Sequence, residues 1–135
     1  GVYAGGTRNP VTTALLDAGT WGLELLQKLP GDRNLKLWPP LVHRLLAKAG
    51  WGLGDIDHFI FTQINRSVIA EVMDVLGLPM EKTTCVMDRY GYTGSACVPM
   101  ALSTAMREER VKKGDAVVLV ASGAGFSVGA NLVIM

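Results

Sequence analysis

The chain has 135 residues and 49% of them are hydrophobic, which is enough for one compact domain with a buried core. Its 13 Lys and Arg residues against 12 Asp and Glu residues leave a net charge of +1, too small a basic surplus for binding along nucleic acid phosphates. Only 19% of the residues are charged, so we expect one face to be buried against another copy of the chain or a companion domain.

The two cysteines, Cys85 and Cys97, are too few for a disulfide framework, so we expect free thiols in a reducing, cytoplasmic location. No group of His, Cys or acidic residues has metal-ligand spacing, and the Gly-x-Gly-x-x-Gly motif is absent. The sequence therefore predicts neither a metal nor a nicotinamide or flavin cofactor. The N-terminal residues GVYAGGTRNP lack the charged start and apolar run of a signal peptide.

The first thirty or so residues predict short elements separated by turns. Val2–Ala4 is typical of the end of a strand, and residues 5–10 have the glycines, Asn and Pro of a turn. Residues 20–29 have some helical character, and a second turn is predicted at residues 29–32.

A helix is predicted over residues 40–49, where apolar residues recur with helical spacing and Gly50 stands at the position of a C-cap. The Trp-Pro-Pro sequence at residues 38–40 favours an extended stretch before this helix, because proline lacks a backbone N–H and restricts the residue before it. His43 lies on the more polar side of the helix, so we expect it at the surface.

Strands and helices then alternate along the chain. Residues 57–61 predict a strand, and Asn65 or Ser67 begins a helix that ends at Gly77. The apolar stripe of this helix consists of Val68, Ile69, Val72, Met73 and Leu76. Residues 83–87 predict another short strand.

A glycine-bearing loop is predicted over residues 88–94, a helix over residues 95–109 and a turn over residues 113–115. The last segment, residues 116–135, carries no charge and is long enough to cross a bilayer. Its glycine-containing breaks and its many valines favour a strand, a glycine turn and a second strand, so we expect no membrane span. The alternation of strands and helices predicts an α/β domain whose mixed or parallel sheet is covered by helices.

Three loops follow predicted strands, where open α/β sheets place their binding sites. They are residues 62–65, 88–95 and 122–126. The last loop offers successive backbone N–H groups that suit an anion or an oxyanion, but small residues there would equally allow close packing of strand and helix.

Few side chains in this chain can act as a titratable catalyst near neutral pH. His58 lies within a predicted strand, so a solvent-facing or structural role is favoured. Cys97 follows a glycine loop at the start of a helix, where a thiol can be activated. Burial as a small apolar residue is the favoured interpretation, because no His is local to it.

In their order, these loops resemble the C-terminal half of β-ketoacyl-acyl-carrier-protein synthase III, one of the thiolase-fold condensing enzymes. The matching segments lie between about Leu41 and Met135 and comprise residues 54–57, 62–65, 88–96, 98–99, 113–115 and 122–129. The resemblance implies that residues 1–135 are a single C-terminal thiolase-like domain, with a layered mixed sheet covered by helices. It also implies a nucleophile-bearing N-terminal half that this chain does not contain.

Two positions depart from the family pattern. The family motif His-Gln-Ala-Asn corresponds to Thr-Gln-Ile-Asn at residues 62–65, and Gly-Asn-Thr-Ser corresponds to Gly-Tyr-Thr-Gly at residues 91–94. The resemblance therefore places Thr62 at the position of the catalytic His and Tyr92 at that of the catalytic Asn. Losing one donor to a developing oxyanion costs about a hundredfold to a thousandfold in rate, so we expect condensation to be lost before acyl transfer.

The resemblance also assigns the rest of the site. It implies a backbone oxyanion donor at Ala124, and substrate-binding roles for Gln63, Asn65, Ser122, Gly123, Gly125 and Phe126. It implies no cofactor, because the acyl-CoA or acyl-carrier-protein thioester is the substrate.

The leading hypothesis is an acyl-thioester transferase of fatty acid, polyketide or other lipid metabolism. We expect this domain alone to be inactive. A catalytically silent thiolase-fold partner subunit is the second hypothesis, and a small domain of unrelated function is the third. The expected partners are the missing N-terminal half, a second copy in a homodimer, and acyl carrier protein or a CoA thioester.

Overall fold

The computed structural model describes residues 2–4, 10–19, 22–23, 30–123 and 126–135. The chain forms two compact units, Gly1–Pro30 and Gly31–Met135. The expectation of one domain over residues 1–135 stays a prediction.

The first unit contains a two-stranded antiparallel ladder and one short helix. Strand β1, Val2–Ala4, pairs with β2, Gly22–Leu23, and helix α1 spans Thr13–Asp17. The predicted strand at Val2–Ala4 is confirmed. The predicted helical character is wrong at Gly22–Leu23, because pairing with β1 outweighs a weak local preference, and the rest of residues 20–29 and of the turn at 5–9 lies outside the described residues.

Helix α2 opens the second unit and spans Arg33–Ala49, with Pro39 and Pro40 inside it. The predicted extended stretch before residue 40 is therefore wrong. Trp38 and Pro39 are buried, so the burial of this helical face outweighs the backbone hydrogen bonds that the prolines cannot make. The helix ends as predicted at Gly50, whose φ of 72° is left-handed.

Three strands form the sheet of the second unit, in the order β3 (His58–Phe61), β4 (Ala116–Gly123) and β5 (Ser127–Ile134). Strand β3 runs parallel to β4, and β5 runs antiparallel to β4. The predicted mixed sheet and the two predicted strands after residue 115 are confirmed, whereas residues 124–125 of the predicted glycine turn lie outside the described residues. Among the described residues, none of the helices combines the length and the apolarity that crossing a membrane requires.

Alternating side chains of the sheet face two helical layers. On one face, α2 and helix α3, Arg66–Val75, pack around a core that includes Phe59, Phe61 and Val118. On the other face, helix α5, Cys97–Arg107, packs around Ile60 and Val117. Helix α3 begins after the N-cap Asn65 and is followed by Gly77 at φ 68°, as predicted.

Residues 83–87 do not form the predicted strand, apart from one parallel bridge between Thr83 and β3. The side-chain amide of Gln63 makes hydrogen bonds to this segment that a neighbouring strand would otherwise make. Its Nε2 donates to the Thr84 carbonyl at 3.1 Å, and its Oε1 accepts from the Val86 N–H at 2.8 Å. Backbone groups that a ladder would have paired are satisfied in this way.

The predicted loop at 88–94 and helix at 95–109 are both shortened. A one-turn helix α4, Met87–Tyr90, occupies the start of the loop, and a 3₁₀ turn precedes α5. Helix α5 ends at Arg107, two residues early, because Glu109 has a left-handed φ of 56°.

His58 is 1% exposed, so of its two expected roles the structure supports the structural one. Its Nε2 lies 2.8 Å from the Thr84 Oγ1. Burial, followed by the positive charge of Arg110, lowers the pKa of His58 from 6.5 to about 4. His43 is exposed on α2, as predicted.

The low pKa of His58 predicts acid destabilisation. The unfolded chain binds a proton at His58 below about pH 6.5 and the folded chain only below about 4, so stability falls as the pH falls through this window. The loss is at most about 3 kcal/mol. We expect urea unfolding of His58→Asn to depend less on pH between 4 and 6.5, whereas His43→Asn, at an exposed position, keeps the parent's dependence. Equal pH dependence in both variants would contradict the assignment.

Candidate functional site

A cavity of about 460 Å³ lies at the carboxyl ends of β3 and β4, the edge where parallel strands of α/β sheets present their sites. The described residues that line it are Thr62, Tyr92, Gly94, Ser95, Cys97, Val98, Ala121, Ser122 and Gly123. None of these is His, Lys, Arg, Asp or Glu. Two positions singled out by the sequence, Thr62 and Tyr92, thus line the same cavity.

Thr62 continues the parallel ladder beyond β3 and is 2% exposed. Its N–H donates to the Val120 carbonyl at 3.0 Å. Its Oγ1 accepts from the Ser122 N–H at 2.9 Å. A hydroxyl that accepts still has its own hydrogen to donate, so Thr62 can act as a neutral donor in the cavity that it lines.

Tyr92 lies in the irregular segment between α4 and the 3₁₀ turn at Gly94–Ala96 and is 50% exposed. The preceding Gly91 has a left-handed φ of 66°, a conformation that glycine adopts without strain. The half-exposed Tyr92 side chain lines the cavity and is bulkier than the amide that the family pattern has there.

Gln63 and Asn65 are predicted substrate-binding residues that are not among the described residues lining the cavity. Gln63 is fully buried and cross-links backbone groups, with its Nε2 also donating to the Phe61 carbonyl at 2.8 Å. Asn65 is the N-cap of α3, and its Oδ1 accepts from the Ser67 N–H at 3.0 Å. Both side chains have structural tasks, and their substrate-binding roles stay predictions.

The predicted glycine loop after β4, residues 122–126, is described at its first two residues and at its last. Ser122 and Gly123 line the cavity, and Phe126 is 39% exposed with the Arg33 guanidinium 4.2 Å from its ring centroid. Ala124 and Gly125 lie outside the described residues. The backbone oxyanion donor expected at Ala124 therefore stays a prediction.

Both cysteines are free thiols, as predicted. Cys97 is the first residue of α5, is 2% exposed, and accepts the Gln63 N–H at 3.4 Å through its Sγ. The favoured burial is thus observed, but the residue also lines the cavity. Cys85 is half-buried, and burial raises the pKa of its thiol. Across the described ranges, no three His, Cys, Asp or Glu side chains are grouped to hold a metal ion.

Two residues that hydrogen-bond to the cavity lining were not predicted from the sequence. Trp38 and Asn34 of α2 both hydrogen-bond to the Ser122 hydroxyl, at 2.7 and 2.9 Å. Their spacing of four would place them on one helical face. This helical spacing was not recognised, because the Pro-Pro sequence predicts a non-helical segment there.

Comparison with known proteins identifies the family. Residues 46–135 match the model of the 3-oxoacyl-[acyl-carrier-protein] synthase III C-terminal family. The synthase III of Erythrobacter litoralis is 41% identical over 93 residues, covering 69% of this chain and 29% of that protein. The synthase III of Symbiobacterium thermophilum is 35% identical over 127 residues, covering 94% of this chain and 38% of that protein.

Solved structures agree with these relatives. The crystal structure of the synthase III from Aquifex aeolicus matches with a TM-score of 0.73 and 29% identity, covering 80% of this chain and 36% of that one. Another crystal structure of a synthase III matches with a TM-score of 0.78 and 26% identity, covering 98% of this chain and 42% of that one. The chain thus spans well under half the length of these relatives. It belongs to the synthase III C-terminal family, and the expected thiolase-like α/β fold is confirmed.

The contrast between two buried threonines tests the Thr62 geometry. Thr62→Val removes the acceptor of the Ser122 N–H, which should lower the free energy of unfolding by about 1–3 kcal/mol. Thr83 is also 2% exposed, but among the described residues its Oγ1 has no hydrogen-bond partner. Thr83→Val should therefore be neutral or stabilising in the same urea titration. Equal losses in the two variants would contradict the bond.

Proposed function

We propose that this member of the synthase III family is the C-terminal half of an acyl-thioester transferase whose substrates are acyl groups carried by CoA or acyl carrier protein. Its second step, decarboxylative condensation, is impaired relative to the family. The proposal is supported by the presence of Thr62 and Tyr92 in the lining of one cavity, because the family pattern has its catalytic His and Asn at these two positions.

The two replacements act differently on the two steps. Loss of carbon dioxide from a malonyl thioester leaves an enolate, whose oxyanion needs positioned donors. The Thr62 hydroxyl is a single neutral donor that cannot exchange protons near neutral pH, and the Tyr92 phenol replaces a compact amide. Acyl transfer needs fewer groups. A nucleophile in the companion half attacks the thioester carbonyl, and neutral donors and backbone amides are enough to stabilise its oxygen.

We propose partners and a cellular setting as well. The companion half carries the nucleophile, the assembled protein is a homodimer, and the reaction belongs to fatty acid or polyketide biosynthesis in the cytoplasm. The low fraction of charged residues, 19%, supports burial of a large face against such a partner.

A catalytically silent partner subunit is the second candidate function. One observation favours it: the described wall of the cavity has no His, Lys or carboxylate that could act as an acid or base. In that case the fold serves to complete a companion's site.

Intact mass of the full-length protein that contains this chain distinguishes the two functions. After incubation with a short acyl-CoA, a stable mass increase equal to the acyl group supports the transferase. A folded full-length protein that gains no adduct would contradict it and leave the silent subunit ahead.

Restoring the family residues should recover condensation. The double variant Thr62→His, Tyr92→Asn is expected to decarboxylate malonyl-CoA at least about a hundredfold faster than the parent, because the imidazole and the amide of the family pattern are restored as donors to the enolate. Release of labelled carbon dioxide from malonyl-CoA measures this rate. Each single variant is the control and should recover less. A folded, acylated double variant no faster than the parent would contradict the proposed cause of the impairment.

A further inference from the structure

The start of α2 is fastened to the end of β4 by side chains. The Trp38 Nε1 donates to the Ser122 Oγ at 2.7 Å, and the Ser122 Oγ donates to the Asn34 Oδ1 at 2.9 Å. One residue earlier in α2, the Arg33 guanidinium stacks on Phe126, just after the glycine loop. Three side chains of one helix thus hold both sides of this loop.

The chemistry of the groups sets the direction of each hydrogen bond. An indole N–H can only donate, so the Ser122 Oγ must accept from Trp38 and turn its own hydrogen to the Asn34 oxygen. The Ser122 backbone N–H then donates to the Thr62 Oγ1 at 2.9 Å. Within the described part of the chain, the Thr62 hydroxyl accepts this bond and has no acceptor of its own among protein groups.

Trp38 also supports Thr62 from a second side. Its ring is 1% exposed and stacks on Phe61, with the ring centroids 5.2 Å apart. Phe61 directly precedes Thr62. The backbone before Thr62 and the donor to its Oγ1 are therefore both held by the same buried indole.

We propose that Trp38, Ser122 and Asn34 are positioning residues that hold the Thr62 hydroxyl as a fixed donor to the thioester carbonyl of the acyl substrate. The inference rests on the proposed transferase function. A β-branched threonine has few rotamers, and the Ser122 N–H selects the one in which the hydroxyl hydrogen can face the cavity. A donor fixed in advance needs no reorganisation when the carbonyl oxygen gains negative charge.

The first test needs no activity. In the full-length protein labelled with ¹⁵N-serine, Thr62→Val identifies the Ser122 amide signal, whose proton loses its acceptor and shifts upfield. Trp38→Phe keeps a ring to stack on Phe61 but removes the N–H, and we expect the same signal to shift in the same direction. Trp51→Phe, at an exposed tryptophan, is the matched control and should leave the signal in place. An unmoved signal in Trp38→Phe would overturn the proposal.

The second test measures formation of the acyl-enzyme. Trp38→Phe and Ser122→Ala should each lower its maximal rate about tenfold with KM unchanged, since a donor loosened by a fraction of an ångström stabilises the transition state less. In a Thr62→Val background neither substitution should lower the rate further. Equal losses in the two backgrounds would overturn the proposal. An unacylated parent would instead overturn the proposed function, and with it the catalytic meaning of these bonds, while the amide test still decides whether the bonds exist.

Discussion

The parallel register between β3 and β4 determines where this chain can have a reactive site. His58 lies opposite Val117 and Phe61 opposite Val120, so both strands end at the same edge of the sheet. Thr62 is thereby placed beside Ser122, within reach of its backbone N–H. The helix α5 that follows the Tyr92 segment packs on the same sheet, and the cavity forms where these three parts meet.

The cavity lining differs from the family pattern at the position of the catalytic His. Where the pattern has an imidazole that can exchange a proton near neutral pH, this chain has the Thr62 hydroxyl, which already accepts a hydrogen bond from the Ser122 N–H. Such a group can hold a carbonyl oxygen but cannot move a proton. The only described histidine buried in the sheet, His58, lies at the other end of β3 and is kept neutral by burial. It cannot replace the missing imidazole.

Much of this fold could be predicted from the sequence, because its core elements have strong periodic patterns. The stripe of α3 with its N-cap Asn65, the helix end at Gly50 and the paired strands after residue 115 all follow from local rules. Two errors in the second unit come from tertiary contacts. Burial of Trp38 stabilises α2 as a helix in spite of its two prolines. The Gln63 side-chain amide hydrogen-bonds to the backbone of residues 84 and 86, where a neighbouring strand was predicted to pair. The site positions Thr62 and Tyr92 were identified by family pattern, whereas their meeting in one cavity depends on the register of the sheet, which no local rule predicts.

The proposed hydrogen bond joins the Thr62 hydroxyl to a thioester carbonyl in this cavity. Isotope-edited infrared spectroscopy of the full-length protein, acylated from an acyl-CoA with a ¹³C-labelled carbonyl, measures that bond directly. A hydrogen bond weakens the carbonyl double bond, so the band of the bound thioester should lie at lower wavenumber in the parent than in Thr62→Val. A band at the same wavenumber in both proteins would contradict this hydrogen bond. No bound thioester in the parent would contradict the transferase function.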